Sequence, residues 1–318
     1  MELEEAADGQ RLALAELRLP APARAPDRSD LAFLLLHGFA QNRQSFALGP
    51  MPRALLERGA RVFLGELRGH GESRVAPGHP WSLATHLELD CPALLEGVRR
   101  RARVPRVHLV GHSMGGLLGC ALLAREAPLA SLTAAATPLV LAASRPLLRL
   151  ASLLLGPAVT LAPQPERIPV HRVLRALAGP LSRPRARGPL RLLQRAAGLT
   201  NPSGAAPEAL EAVLASSDPE SPAVFEELAR NTARRRPQIA GVDLLRAVRE
   251  SPLPVAALVG GADSIAPRAS MAALEGPGHA GPRRLVEIPG AAHVDVIVGD
   301  HVPATLASLW DFLVGGSS

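Results

Sequence analysis

Gly111-His112-Ser113-Met114-Gly115-Gly116 follows directly on the apolar run Arg106-Val-His-Leu-Val110 and opens a helical pattern over 114–126. A short apolar run closed by glycine is what a strand buried on both faces looks like. Small residues two positions before and two after a serine permit a tight turn from strand straight into helix. That turn lifts the hydroxyl out of the sheet edge. It also sets it at a helix N-terminus, where N–H groups and the peptide dipoles favour developing negative charge. A serine that merely capped the helix would carry a similar local signature, but the strand–turn–helix context favours a nucleophile.

The same punctuation recurs outward in both directions. Leu31–Leu36 ends at His37-Gly38, and Arg61–Leu67 ends at Arg68-Gly69-His70-Gly71. Pro254–Val259 ends at Gly260-Gly261, and Arg284–Ile288 precedes Gly290-Ala291-Ala292-His293. Helical patterns over 44–59, 82–103 and 304–314 fall between or after these runs. Alternating strands and helices predict an α/β fold, a mostly parallel central sheet flanked by helices. Leu12–Leu19 is expected to add an edge strand. The uncharged run Ala127–Ser144 contains Pro128 and Pro138. It is too short and too polar for a membrane span and reads as a buried strand plus loop. From 142 to 251 the pattern changes to a Leu-, Arg- and Pro-rich helical stretch without a convincing buried strand. The expected organisation is therefore a core in two parts, 1–141 and 252–318, with 142–251 inserted as a helical cap or lid.

Composition bounds what this chain does. Of 318 residues, 47% are hydrophobic and 20% charged, which excludes a disordered chain and supplies a sizeable core. Aromatics are 3% with no Tyr, so that core rests on Leu, Ala and Val. The net charge is +6 and every basic residue is Arg. Arg167–Arg195 holds eight Arg and no acid. Such a stretch reads first as a solvated helical face, and it also suits peripheral contact with an anionic membrane. Nucleic acid is disfavoured because few aromatics are present to stack bases. Cys91 and Cys120 form neither a CxxC nor a zinc spacing. The acidic start Met1-Glu2-Leu3-Glu4-Glu5 is unlike a secretory n-region. Together these point to a reducing, cytoplasmic setting.

A serine hydroxyl needs a base, and the base needs an orienting acid. His293 and Asp263 each sit just past the carboxyl end of a candidate strand, the edge where open α/β sheets build their sites. Asp295 and Asp300 compete as the acid, but Asp295 is only two residues from His293, and the strand-end position favours Asp263. The remaining histidines lack that placement near the C-terminus, and His37 reads as a structural hydrogen bonder. An oxyanion requires two N–H donors aimed at one point. The backbone N–H of Met114 is one candidate, and that of Phe39, beside Gly38 in the loop after an earlier strand, is the other.

The strings Leu36-His37-Gly38-Phe39, Arg68-Gly69-His70-Gly71-Glu72-Ser73, Gly111–Gly116, Gly261-Ala262-Asp263-Ser264-Ile265-Ala266-Pro267 and His293 together resemble the α/β-hydrolase superfamily. The resemblance covers 31–141 and 252–315, and its flavour is that of the bacterial lipase/esterase-like branch. It implies an α/β-hydrolase fold with a helical cap and a nucleophile–acid–base order of Ser113, Asp263, His293. It implies an oxyanion hole from the N–H groups of Phe39 and Met114, with His37, Gly38, Gly111 and Gly115 supporting the loops. The expected substrate is a small-molecule ester or acyl compound, and the chemistry requires no metal or organic cofactor. Many relatives carry Asp where this chain has Glu66, a position outside the triad. A serine nucleophile disfavours the branches that use a carboxylate. Acyl transfer, C–C bond hydrolysis and perhydrolysis share the triad, and a non-catalytic membrane-surface protein is the alternative from another class.

Overall fold

In a computed structural model the protein is described at residues 2–20, 25–140, 167–172, 200, 214–233 and 236–315. The Leu-rich run 147–161, Asn201-Pro202 and the arginines from 175 to 195 lie outside the described residues.

The strands are β1 Glu2–Glu5, β2 Arg11–Leu17, β3 Ala32–Leu36, β4 Arg61–Gly65, β5 Val107–His112, β6 Leu129–Ala135, β9 Val255–Gly260 and β10 Arg283–Ile288. They form one 8-stranded sheet in the order β1-β2-β4-β3-β5-β6-β9-β10. From β4 to β10 every pairing is parallel, while β1 and β2 add antiparallel. The pleat explains the unbroken apolar runs. Ala32, Leu34 and Leu36 point into one core and Leu31, Phe33 and Leu35 into the other. Each fully buried Leu or Phe contributes on the order of 1.5–3 kcal/mol.

The first core is closed by the helical stretch 83–102, by α5 Met114–Leu122, and by α7 Leu244–Glu250, which packs on α5. The second is closed by α1 Gln44–Ala47, α2 Met51–Leu56, α8 Asp295–Val298 and α9 Val302–Val314. Within 83–102 the backbone runs as α3 Leu83–Thr85, a π turn His86–Asp90 and α4 Cys91–Ala102. Pro92 has no N–H for the carbonyl four residues back, and the helix widens just before it. Between α5 and α7 stand α6 Pro222–Ala233 and a two-stranded ladder, β7 Gln238–Ile239 with β8 Val242–Asp243. Asp243 caps α7 by accepting from Leu245 N and Arg246 N at 3.0 and 3.1 Å.

Two expectations need correction. The helix expected over 44–59 is two short helices, because Gly49 and Pro50 interrupt it. The 11–17 strand is not the edge; Glu2–Glu5 lies outside it. Three of its four residues are Glu, which hides it from a hydrophobicity reading. Glu4 is nonetheless buried and ion-paired to Arg100 and Arg101.

Cys91 and Cys120 are buried and unpaired, and burial pushes both thiols up, Cys120 to about 12. Among the described residues no helix is long and apolar enough to cross a membrane.

Candidate active site

At the end of β5 the chain turns through Ser113 with φ 51° and ψ −112°, a sparsely populated conformation for any residue but glycine. Neighbouring backbone over-determines it. Ser113 N donates to Ala135 O at 2.9 Å, and Ser113 O accepts from Gly116 N and Leu117 N at 3.0 and 3.1 Å. The flanking glycines are needed for space. A Cβ on Gly111 would lie 2.4 Å from the Gly115 carbonyl, and one on Gly115 would lie 2.4 Å from Leu36 O. Because the obstacle is sheet backbone, Gly115→Ala is expected to cost about 1–3 kcal/mol. Urea unfolding checks this; an unchanged midpoint would mean that β3 and α5 yield without strain.

The base and acid arrive on adjacent loops that are stitched together. Ala262 N donates to Ala291 O at 2.9 Å and ties the loop after β9 to the loop after β10. His293 Nδ1 lies 2.9 Å from Asp263 Oδ2. The other oxygen, Oδ1, accepts from Ile265 N and Ala266 N, both at 2.8 Å. Burial pushes the Asp263 carboxyl up, but the His293 charge and these hydrogen bonds outweigh it and hold the group below its ordinary value. Asp295 is occupied elsewhere: its Oδ2 accepts from Ala292 N at 2.9 Å and steadies the loop that carries His293. Asp300 is exposed.

The loop after β3 is set by His37. Its Nε2 accepts from Leu67 N at 3.1 Å, so Nδ1 carries the proton and donates to Gly38 O at 3.0 Å. Burial above all, with the neighbouring His70 charge, holds His37 well below its ordinary value, so it stays neutral. Among the described residues the Phe39 N–H donates to no acceptor. Met114 is the first residue of α5, and its N–H has no intrahelical acceptor to reach.

Ser113, His293, Phe39 and Met114 line a single cavity of about 260 Å³. Leu117 and Pro138 continue its wall, and α6 supplies Phe225, Leu228 and Ala229. Phe39 and Phe225 meet with ring centroids 6.4 Å apart. The structure thus brings the four expected residues and Asp263 to one place.

Three participants escaped the sequence reading. His112 lies under His293, with ring centroids 5.0 Å apart; its Nε2 is 3.2 Å from His293 O and its Nδ1 3.1 Å from Gln41 Oε1. Burial, then the His293 charge, pushes His112 down to about 3. Gln41 itself lines the cavity. The third is Glu220. Its Oε2 accepts from Ala40 N at 3.0 Å and faces His70 Nε2 at 3.2 Å; its Oε1 accepts from Trp81 Nε1 and Ser221 N at 3.0 and 2.8 Å. Asp218 adds a second tie, accepting from Asn42 Nδ2 and Gly71 N, both at 2.8 Å. Segment 216–221 is therefore clamped to the loops after β3 and β4. No local pattern marks such a pair; only a buried acid placed opposite a buried histidine reveals it.

The basic stretch is visible only at its start. Arg167 stacks over Trp81, 5.3 Å from the ring centroid, and donates to Val75 O. That guanidinium is engaged by the fold. Glu66, the departure noted in the sequence, forms an ion pair with Arg43 at 2.8 Å and accepts from Glu72 N at 2.7 Å.

Comparison with known proteins agrees with this fold. A family model described as alpha/beta hydrolase fold matches residues 32–300. An esterase from Thermogutta terrifontis is 20% identical, with a TM-score of 0.64, covering 99% of this chain and 98% of that one. A monoacylglycerol lipase from Paleococcus ferrophilus is 18% identical, with a TM-score of 0.62, covering 96% and 99%. A hydrolase from Pseudomonas aeruginosa is 22% identical, with a TM-score of 0.62, covering 98% and 97%. No curated protein matches the chain.

Proposed function

Since the chain belongs to the α/β-hydrolase fold family, we propose that it is a serine hydrolase that cleaves small-molecule carboxylic esters through an acyl-enzyme on Ser113. The observation that carries this reading is the His293–Asp263 pair, held at 2.9 Å, whose histidine lines the same cavity as the strained Ser113.

In the proposed cycle His293 Nε2 takes the Ser113 proton as Oγ attacks the ester carbonyl. Asp263 holds the Nδ1 proton and stabilises the imidazolium. The carbonyl oxygen becomes an oxyanion between the N–H groups of Phe39 and Met114, donors already in place before charge develops. Collapse expels the alcohol, which leaves with the proton from His293. Water then loses a proton to the same nitrogen, attacks the acyl-enzyme and releases the acid. Ser113 recovers its proton.

The wall composition supports an acyl pocket, and residues 142–251 are read as a cap, because α6 from that stretch lines the cavity. A cavity of about 260 Å³ is small beside typical ligand sites of about 300–1,000 Å³. Short acyl chains are therefore the expected substrates. Contact of the basic cap with an anionic membrane is part of the same proposal, tested by vesicle binding at low salt. Two buried, unpaired thiols support a reducing, cytoplasmic setting.

The test is hydrolysis of a p-nitrophenyl ester series from acetyl to palmitoyl. Turnover should peak at short chains. Phe225→Ala should move the optimum to longer chains, since it removes the aromatic ring that α6 places against Phe39. An unmoved optimum would sink the acyl-pocket assignment. Absence of turnover on any ester by folded protein would sink the esterase reading itself.

A further inference from the structure

Apart from Ser113, His112 and His293, Gln41 is the polar side chain among the described residues that line the cavity. One end of its amide is committed. Oε1 accepts from Gly38 N at 3.2 Å and stands 3.1 Å from His112 Nδ1. A backbone N–H can only donate, so the oxygen belongs on that side; the reversed amide would set two donors against each other. His112 then stands between two acceptors, Gln41 Oε1 beside Nδ1 and His293 O beside Nε2, and the one proton of the neutral ring serves one of them at a time. The Nε2 of Gln41 is then the outer atom, and it donates to no acceptor among the described residues.

The amide that carries this donor stands close to the reacting centre. The point where a Cβ on Gly38 would sit is 2.9 Å from Gln41 Oε1 and 3.1 Å from Ser113 Cβ. Amide and nucleophile therefore border the same space, next to the loop carrying Phe39. Around them the wall is Phe39, Met114, Leu117, Phe225 and Leu228. A plain alkyl chain entering here strips water from Nε2 and returns no hydrogen bond. An acyl group with an oxygen near its carbonyl returns one. Sites built around a hydrogen-bonding group discriminate against the analogue that lacks the partner more sharply than apolar pockets discriminate by size.

We propose that Gln41 is a specificity-determining residue that selects acyl groups bearing a hydroxyl or oxo oxygen one or two carbons from the scissile carbonyl, with that oxygen accepting from Gln41 Nε2. This inference rests on the esterase reading of the same cavity.

The experiment compares kcat/KM for ethyl butyrate, ethyl 2-hydroxybutyrate and ethyl 3-hydroxybutyrate, each corrected for its uncatalysed hydrolysis. The wild type should favour one oxygenated ester over butyrate by about tenfold or more, the worth of one well-made hydrogen bond. Gln41→Met removes the donor and should bring that ratio to within about twofold of one, whatever it does to the absolute rates. A wild type that treats the three esters alike overturns the proposal without any variant and leaves the esterase reading standing. A ratio that persists in Gln41→Met also overturns it and confines Gln41 to holding the Gly38 loop. A folded wild type that hydrolyses none of the three or the p-nitrophenyl series overturns the esterase reading, and the proposal with it.

Discussion

Ser113→Ala is expected to lower ester turnover by about 10⁴-fold or more while leaving the protein folded. The argument begins with what the substitution removes. In the proposed cycle the hydroxyl forms the covalent bond, and among the described residues that line the cavity no other hydroxyl or thiol stands ready for His293 to activate. Alanine fills the same space, so the cavity, the His293–Asp263 pair and the N–H groups of Phe39 and Met114 stay in place. What remains is the small residual rate from substrate binding and oxyanion stabilisation.

The backbone provides an independent readout. A non-glycine residue at φ 51°, ψ −112° carries strain of about 1–3 kcal/mol. Alanine inherits that strain, so thermal unfolding of Ser113→Ala should match the wild type closely. Ser113→Gly relieves it and should be equally inactive yet melt higher, by the relieved strain less the entropy that glycine adds to the unfolded chain. Kinetics with calorimetry on both variants checks the pair. Wild-type-like turnover in Ser113→Ala would place the nucleophile elsewhere.

Glu220→Gln is expected to destabilise the fold by about 3–5 kcal/mol, the cost of breaking a buried ion pair by removing one partner. The Glu220 carboxylate is fully buried and meets four donors: Ala40 N, Trp81 Nε1, Ser221 N and His70 Nε2. Glutamine keeps one oxygen and turns an NH₂ group toward two of those donors. The loss reaches the active site, because Ala40 follows Phe39 and its N–H is held by Glu220. Turnover should fall together with stability.

The pair also sets a pH signature. Burial pushes Glu220 up, but the His70 charge and its hydrogen bonds win and bring the carboxyl down to about 2. Its stabilisation is therefore present above the ordinary value of 4.5 and lost as pH falls from there toward 2. Burial pulls His70 down, but the Glu220 carboxylate outweighs it and raises the imidazole above its ordinary 6.5. That contribution is complete below 6.5 and lost as pH rises through the raised value. The stability gap between wild type and Glu220→Gln should thus be widest from 4.5 to 6.5 and narrow on both sides. Urea unfolding at several pH values measures it. A gap that stays constant across the range would mean that the pair is not ionised.

The strands that carry the site were legible because their cause is local. A strand covered on both faces must be apolar at every position, and Leu31–Leu36 and Val255–Gly260 show it residue by residue. The turn at Ser113 was legible because only glycine tolerates backbone approaches of 2.4 Å. β1 was not legible, since its burial comes from Arg100 and Arg101 pairing with Glu4 across the fold rather than from apolar side chains. The break at 48–50 was missed because an apolar pattern at helical spacing continued through the interrupting glycine and proline.

By itself the sequence determined the α/β alternation, the nucleophile turn and the order in which serine, acid and histidine follow along the chain. Those features depend on neighbours a few residues apart, where pattern and turn chemistry act directly. Tertiary structure alone decided that Asp295 turns its carboxylate to Ala292 N, that Gln41 and His112 join the loops on either side of Ser113, and that Glu220 anchors 216–221 to His70. The partners in the last two stand far apart in the chain; His70 and Glu220 are 150 positions apart. Their pairing follows from desolvation: a polar group taken out of water must find a partner wherever the fold brings one, and no spacing in the sequence records which one that is.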